Sequence, residues 1–242
     1  MNREDLISVY QDTVDLIEDG HYKSELNSEK LTMRVVPPYR NKIKKPGIIL
    51  VENDDCINVA LNLSKEGKTC MLNMASYKKP GGGVKTGAMA QEEELARRSN
   101  LMVGLDNMNF YPLKMNEYIY TQNVTFFKNK YYEVIDPFDC DVITIASVNL
   151  NNLDIPKDYE EIMTQKISTM LYTPYQYGCK NLVLSAFGCG VFKNDPHFVA
   201  SLFKKILYFY SPFCFTKIRI FFLSTKFYFL SKYLSTRFSI ML

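Results

Sequence analysis

The sequence predicts an α/β fold, helices sandwiching a mostly parallel or mixed sheet, and three observations point to it. Short apolar, β-branched runs alternate with helical stretches through the body of the chain, the pattern of strand–helix–strand units. Glycine or Asp-Pro punctuation sits at several of the junctions. The 242 residues, 47% apolar and 23% charged, are enough for one sizeable core and too apolar for a disordered chain.

The elements follow in order. Over residues 2–19, Leu6, Val9 or Tyr10, Val14 and Ile17 fall on one helical face, and Gly20 ends the pattern. "LTMRVV" (31–36) reads as a short strand and "PPYRNKIKKP" (37–46) as a basic loop bounded by prolines. "GIILVEN" (47–53) reads as a buried strand, "CINVALNLSKEG" (56–67) as a helix closed by Gly67, and "TCMLNMA" (69–75) as a strand. After a glycine-rich loop the pattern predicts a helix from about Gln91 to Leu105. An irregular, tyrosine-rich stretch follows. Then come "DVITIAS" (141–147) as a strand, a helix over 157–175, "NLVLSAF" (181–187) as a strand, a loop, a helix from Pro196, and "KIRIFFL" (217–223) as a strand. No internal repeat and no clear linker divides the chain.

Composition narrows the function classes. Residues 203–242 hold seven Lys/Arg and no acid, which leaves the first 202 with a net charge of −4. Six cysteines, at 56, 70, 140, 179, 189 and 214, form no CxxC pair, and the two histidines, His21 and His197, stand at no ligand spacing. No metal site or cofactor is expected. Neither an apolar leader nor an uncharged apolar run of about 18 residues is present, so no membrane span is expected and the thiols read as reduced in an intracellular protein.

Two loops stand out. "KPGGGVKTGAMAQEEELARRS" (79–99) places three glycines shortly before a glutamine and three glutamates. "SAFGCGVFKNDP" (185–196) carries Gly188 and Gly190 and ends in Asp195-Pro196, a good start for a helix. Each follows a strand and leads to a helix N-terminus, where bare N–H groups favour anions such as phosphate. Neither is a Walker loop or GxGxxG, and the residues alone leave ordinary tight turns equally open. Acids in a first helical turn also complement the helix dipole without any catalytic role. For Glu94, with Arg97 and Arg98 at i+3 and i+4, a solvated ion-paired face is the expectation.

Beyond spacing, "LNMASYKKPGGGVKTGAMAQEEELARRS" resembles the bacterial, or microbial-type, poly(ADP-ribose) glycohydrolases of the macrodomain superfamily. Their hallmark is GGG, a spacer of six to eight residues, and QEE. "AFGCGVFKNDP" resembles their second phosphate loop and "DTVDLIEDGHY" their N-terminal helix, so the likeness runs in ordered blocks from about residue 8 to about residue 222.

The resemblance implies a three-layer α/β/α macrodomain-like sandwich with a mixed sheet (47–222), preceded by an N-terminal helical extension (1–46). It implies ADP-ribose lying across the top of the sheet. Glu93 would be the catalytic carboxylate, and Glu92 and Asn73 would orient ribose hydroxyls. Gln91 would join the same segment, while Gly81, Gly82 and Gly83 would let the backbone approach. Gly188, Cys189, Gly190, Val191 and Phe192 would wrap the diphosphate and proximal ribose, with Phe192 against the adenosine half, unless it is simply a core aromatic.

The implied reaction is hydrolysis of the ribose–ribose O-glycosidic bond of poly(ADP-ribose), releasing ADP-ribose. A single carboxylate would serve as acid and then base, unlike the paired acids of most sugar hydrolases. A first-turn carboxylate is favoured as the ion, so the acid role would depend on burial and on the phosphates of the substrate. Two alternatives stand beside it: a non-catalytic ADP-ribose reader, and a hydrolase acting on mono-ADP-ribosylated protein or DNA.

Residues 223–242, aromatic, basic and acid-free, match nothing in the family. They fit a terminal helix, an added strand, a peripheral segment or a shifted reading frame, with contact to nucleic acid as a further option. Low alanine beside abundant Lys, Asn, Tyr and Ile suggests an AT-rich genome such as a viral one, which would put the protein in the cytoplasm or nucleus of a host cell.

Overall fold

The computed structural model describes residues 1–22, 25–35, 48–106, 109–151, 154–210 and 215–221. The prolyl-bounded loop 37–46 and the tail 223–242 lie outside the described residues.

Seven strands form one mixed sheet: β1 (Asn27–Thr32), β2 (Ile48–Glu52), β3 (Thr69–Met74), β4 (Glu117–Lys128), β5 (Val134–Ile145), β6 (Asn181–Ser185) and β7 (Lys217–Phe221), in the order β1-β4-β5-β3-β6-β7-β2. The pairs β2–β7, β7–β6, β6–β3 and β3–β5 are parallel, whereas β4 runs antiparallel to β5 and β1 antiparallel to β4. Helices are α1 (Arg3–Glu18), α2 (Cys56–Ser64), α3 (Gln91–Arg98), α4 (Leu101–Leu105), α5 (Tyr159–Gln176) and α6 (Pro196–Tyr210).

Alternation along the parallel strands explains the layers, because successive side chains face opposite sides of a sheet. On β3, Cys70 and Leu72 join β5, β6, α5 and α6 in one core, while Met71 joins Val142, Val183 and helices α2, α3 and α4 in another. The result is three layers, as expected. A third, smaller cluster of Tyr10, Val84, Ala96 and Met102 fastens α1 outside the second helical layer.

Three sequence expectations need correction. The strand placed at 31–36 lies at 27–32, inside the presumed extension and paired with β4. The run Ile48–Glu52, read as buried, is the last strand of the described sheet, and Ile48 and Leu50 are exposed.

The helix predicted from Gln91 to Leu105 breaks at Ser99 and Asn100. There β4 competes for the backbone: Ser99 bridges Phe126, and Asn100 exchanges hydrogen bonds with Thr125 in both directions, its N–H donating (3.1 Å) and its Oδ1 accepting (2.9 Å). Strand β4 itself escaped notice because a bulge at Asn123, with φ of 58°, interrupts its alternation.

Candidate active site

Because β3 and β6 are parallel neighbours, the loops after them leave the same edge of the sheet side by side. Residues about a hundred positions apart thus come together where open α/β sheets bind ligands. Between the loops lies a cavity of about 360 Å³. Ser76, Gly82, Gly83, Gln91, Glu92 and Glu93 line one side, and Ser147 with Phe187, Gly188, Gly190, Val191 and Phe192 the other.

The first loop shows why glycine is required. Gly82 has φ of +53°, and a Cβ there would sit 2.5 Å from Glu93 Oε1 and 2.9 Å from Glu92 Oε2. Both carboxyl groups therefore converge on the bare Gly82 backbone, a place that no side chain can share. Gly83 N–H donates to Glu93 Oε1 (2.9 Å), and Ser76 N–H donates to Glu92 Oε2 (2.7 Å). One oxygen of each carboxyl is thereby fixed by backbone. The other oxygens, Glu92 Oε1 and Glu93 Oε2, are buried and accept no hydrogen bond from the described residues.

Gln91 is given wholly to scaffolding. Its Oε1 accepts from Met74 N–H (2.8 Å) and its Nε2 donates to Leu72 O (2.6 Å), clamping the start of α3 to the end of β3. Burial, reinforced by the charge of Glu93 next door, pushes the Glu92 carboxyl up to about 8, against the opposing pull of the Ser76 amide. At neutral pH Glu92 therefore holds its proton, because two like charges in one desolvated site are disfavoured.

Asn194 organises the second loop, and sequence reasoning missed it. Its Nδ2 donates to Val148 O (2.8 Å), Gly188 O (3.0 Å) and Phe192 O (3.3 Å), while Tyr159 OH donates to its Oδ1 (2.7 Å). One buried amide thus ties three turns of backbone together. Gly188, at φ of +74°, packs so tightly on Ser147 and Asn194 that a Cβ would overlap both.

Several predicted residues fall elsewhere. Cys189 turns its thiol into the core and offers the cavity backbone at most. A Cβ on Gly81 would meet Met102, so that side of the residue packs away from the cavity, while its backbone reaches the Glu92 carboxyl. Asn73 is fully buried, donates to Thr144 Oγ1 (3.2 Å) and meets the site through the Glu92 carboxyl. Val191, 68% exposed, stands at the rim.

Tyr111 was also missed. Its hydroxyl is buried without a hydrogen-bond partner among the described residues and close enough to Glu92 for the carboxylate charge to push the phenol up, on top of the larger effect of burial. Nothing in the sequence around Tyr111 distinguishes it from its neighbouring tyrosines, and it reaches the site only through tertiary folding.

The expectation of a solvated face at Arg97 and Arg98 is wrong: they are 0% and 1% exposed. Arg97 donates to Leu6 O (3.1 Å), Ala88 O (2.6 Å) and Glu94 Oε1 (3.2 Å), joining α1, the end of the first loop and α3. Arg98 grips Asp55 in a fork (2.7 and 2.9 Å) and donates to Lys128 O. Arginine suits this work because its planar donors satisfy several acceptors at once.

The sequence model for "Microbial-type PARG, catalytic domain" matches residues 10–129, which contain the first loop and both cavity glutamates. Over that stretch, just under half of the chain, the sequence is similar to the microbial-type PARG family.

Solved PARG structures agree in fold. Poly(ADP-ribose) glycohydrolase from Thermomonospora curvata superposes with a TM-score of 0.77 at 20% identity, covering 95% of this chain and 99% of that one. The same enzyme bound to the inhibitor ADP-HPD gives 0.75 at 22%, covering 95% and 99%. The Deinococcus radiodurans PARG in complex with ADP-ribose gives 0.71 at 24%, covering 78% and 85%. No curated protein matches the sequence.

The family match ends before the second loop. It is the parallel pairing of β3 with β6 that brings that loop to the site. Among the described residues no group of His, Cys, Asp or Glu is arranged to hold a metal, and no helix is long and apolar enough to cross a membrane.

Proposed function

We propose that the cavity receives the terminal ADP-ribose unit of poly(ADP-ribose) and that the chain hydrolyses the ribose–ribose O-glycosidic bond, releasing ADP-ribose. The observation that carries this reading is the convergence of two glycine loops and the Glu92–Glu93 pair on one cavity. The family match supports the same chemistry.

The diphosphate lies between the loops, against the backbone at Gly82–Gly83 and Gly188–Phe192, where the glycines, lacking Cβ atoms, permit close approach. Phe192, half-buried and with its carbonyl held by Leu150 N–H (2.9 Å), supports the adenosine half. The terminal ribose lies beside Glu92 and Glu93.

Glu93 protonates the departing ribose oxygen as the C1″–O bond breaks and its electron pair leaves with that oxygen. The oxocarbenium-like centre is stabilised by the nearby diphosphate. Glu93, now ionised, takes a proton from water as the water oxygen bonds to C1″, which restores the acid. Glu92, protonated in the free protein, donates to a ribose hydroxyl. The negative diphosphate beside the pair favours a second proton on it in the complex, and that proton is the one given to the departing oxygen.

Glu93→Gln keeps the volume and the hydrogen bond from Gly83 but cannot cycle a proton. It should lower hydrolysis of poly(ADP-ribose) by at least about 10³-fold and leave ADP-ribose affinity within a few-fold, read by calorimetry. Turnover retained by the variant removes Glu93 from the mechanism. Wild-type chain that binds ADP-ribose yet releases no product from polymer or from mono-ADP-ribosylated protein is a reader.

A further inference from the structure

Ser76 lines the cavity and fixes Glu92, and the chain then leaves the cavity at Tyr77, Lys78 and Lys79, all three exposed. The segment is held in place. Tyr77 O accepts from Leu113 N–H (2.8 Å), and Ser76 Oγ accepts from Lys78 N–H (3.2 Å). Lys78 Nζ stands 5.7 Å from the centroid of the Tyr77 ring, a cation–π arrangement that keeps ring and ammonium together. Among the described residues no carboxylate lies within ion-pair distance of Lys78 or Lys79. Two ammonium groups without a carboxylate partner among the described residues and an exposed tyrosine ring thus directly follow the residue that fixes Glu92, on a chain whose first 202 residues are net acidic.

We propose that Tyr77, Lys78 and Lys79 form a subsite for the next ADP-ribose unit of the polymer, the one carried by the departing oxygen. This rests on the cavity reading above. If the terminal ribose lies beside Glu92 and Glu93, the departing unit emerges past Ser76. It carries an adenine, which takes a ring face, and a diphosphate, which takes ammonium groups. A mono-ADP-ribosylated protein presents neither group at that position. The subsite therefore selects polymer over single units, and it does so outside the groups that perform the chemistry. The two lysines act as charges near solvent, so their contribution falls with salt.

Three quantities test this on Lys78→Ala/Lys79→Ala and on Tyr77→Leu. The first is calorimetric affinity for ADP-ribose, the second KM for poly(ADP-ribose), and the third KM for a mono-ADP-ribosylated peptide. The side chains are exposed, so folding should survive, and unchanged melting curves check it.

In the double variant ADP-ribose affinity should stay within about twofold and polymer KM should rise about tenfold. The slope of log KM against log salt should fall by up to about one per lysine. Tyr77→Leu should raise polymer KM about three- to tenfold and leave the salt slope alone. Polymer KM within about twofold of wild type in both variants overturns the subsite, and so does an equal rise on the mono-ADP-ribosylated peptide. Wild-type protein that does not bind ADP-ribose at all overturns the cavity reading first, and the subsite with it.

Discussion

At the scale of single residues, Glu92 concentrates the physics of the site. Its usual carboxyl value is 4.5, and burial beside Glu93 raises it to about 8 in the fold. A group raised on folding lends stability that is present in full below the unfolded value and lost as pH climbs through the folded one. Glu92 should therefore make the protein less stable between about pH 5 and 8, by on the order of a few kcal/mol. Glu92→Gln, neutral throughout, should flatten that part of the curve in urea denaturation; parallel curves for the two proteins would refute the assignment. Lys166, buried on α5 and lowered to about 8, acts in the opposite sense, with stability gained as pH rises from about 8 toward 10.5, so the two windows barely overlap.

The residue scale is also where the sequence is most readable and most deceptive. Gly82 and the paired glutamates announce themselves through the family's GGG–spacer–QEE pattern, since the glycines and acids alone fit ordinary turns and helix starts as well. Asn194 and Tyr111 carry no local signal, since their partners lie across the fold. Arg97 misleads outright: i,i+3 spacing from Glu94 looks like a surface pair, and the ion pair is there, but buried under α1.

At the scale of elements, α1 acts as a brace. Asn2 and Asp5 form a reciprocal cap at its start (2.8 and 2.9 Å). Its inner face is held by Arg97 on Leu6 O, by Thr13 Oγ1 donating to Arg97 O (2.5 Å), and by Lys128 Nζ on Asp12 (2.6 Å) and Thr13 (2.7 Å). Arg97 also grips Ala88 O, so the same side chain steadies the approach to α3, on which Glu92 and Glu93 ride.

Arg97→Ala leaves buried carbonyls without donors and should cost about 2–4 kcal/mol in denaturant unfolding. Protease cutting near the N-terminus should come earlier as well, because α1 loses its hold. A cost below about 0.5 kcal/mol would mean the brace is ornamental. Helices α1, α2, α5 and α6 and strands β3, β6 and β7 are legible from their apolar patterns, whereas the edge position of β2 is not. The break between α3 and α4 and the bulged β4 are not, because pairing between distant segments decides both.

At the scale of the whole molecule, a ligand that touches both loops spans two strands of one sheet and should stabilise the fold as a unit. ADP-ribose at a hundred times its Kd should add about 2.7 kcal/mol, which for a chain of this size raises Tm by roughly 5–10 °C. Absence of any shift in wild type would argue that the two loops do not share a ligand. The alternation of strands and helices was enough to predict the sheet and its layers, but not the strand order. No local pattern says that β3 and β6 pair.

That pairing has an evolutionary consequence. The distance between the two loops is inherited from the repeat of backbone hydrogen bonds across a parallel pair, a spacing common to all sheets. The width of the cleft is therefore indifferent to most side chains. A chain can differ from another at the great majority of its positions, as the 20% identity to the Thermomonospora curvata structure at a TM-score of 0.77 records, and still keep the fold on which such a spacing rests.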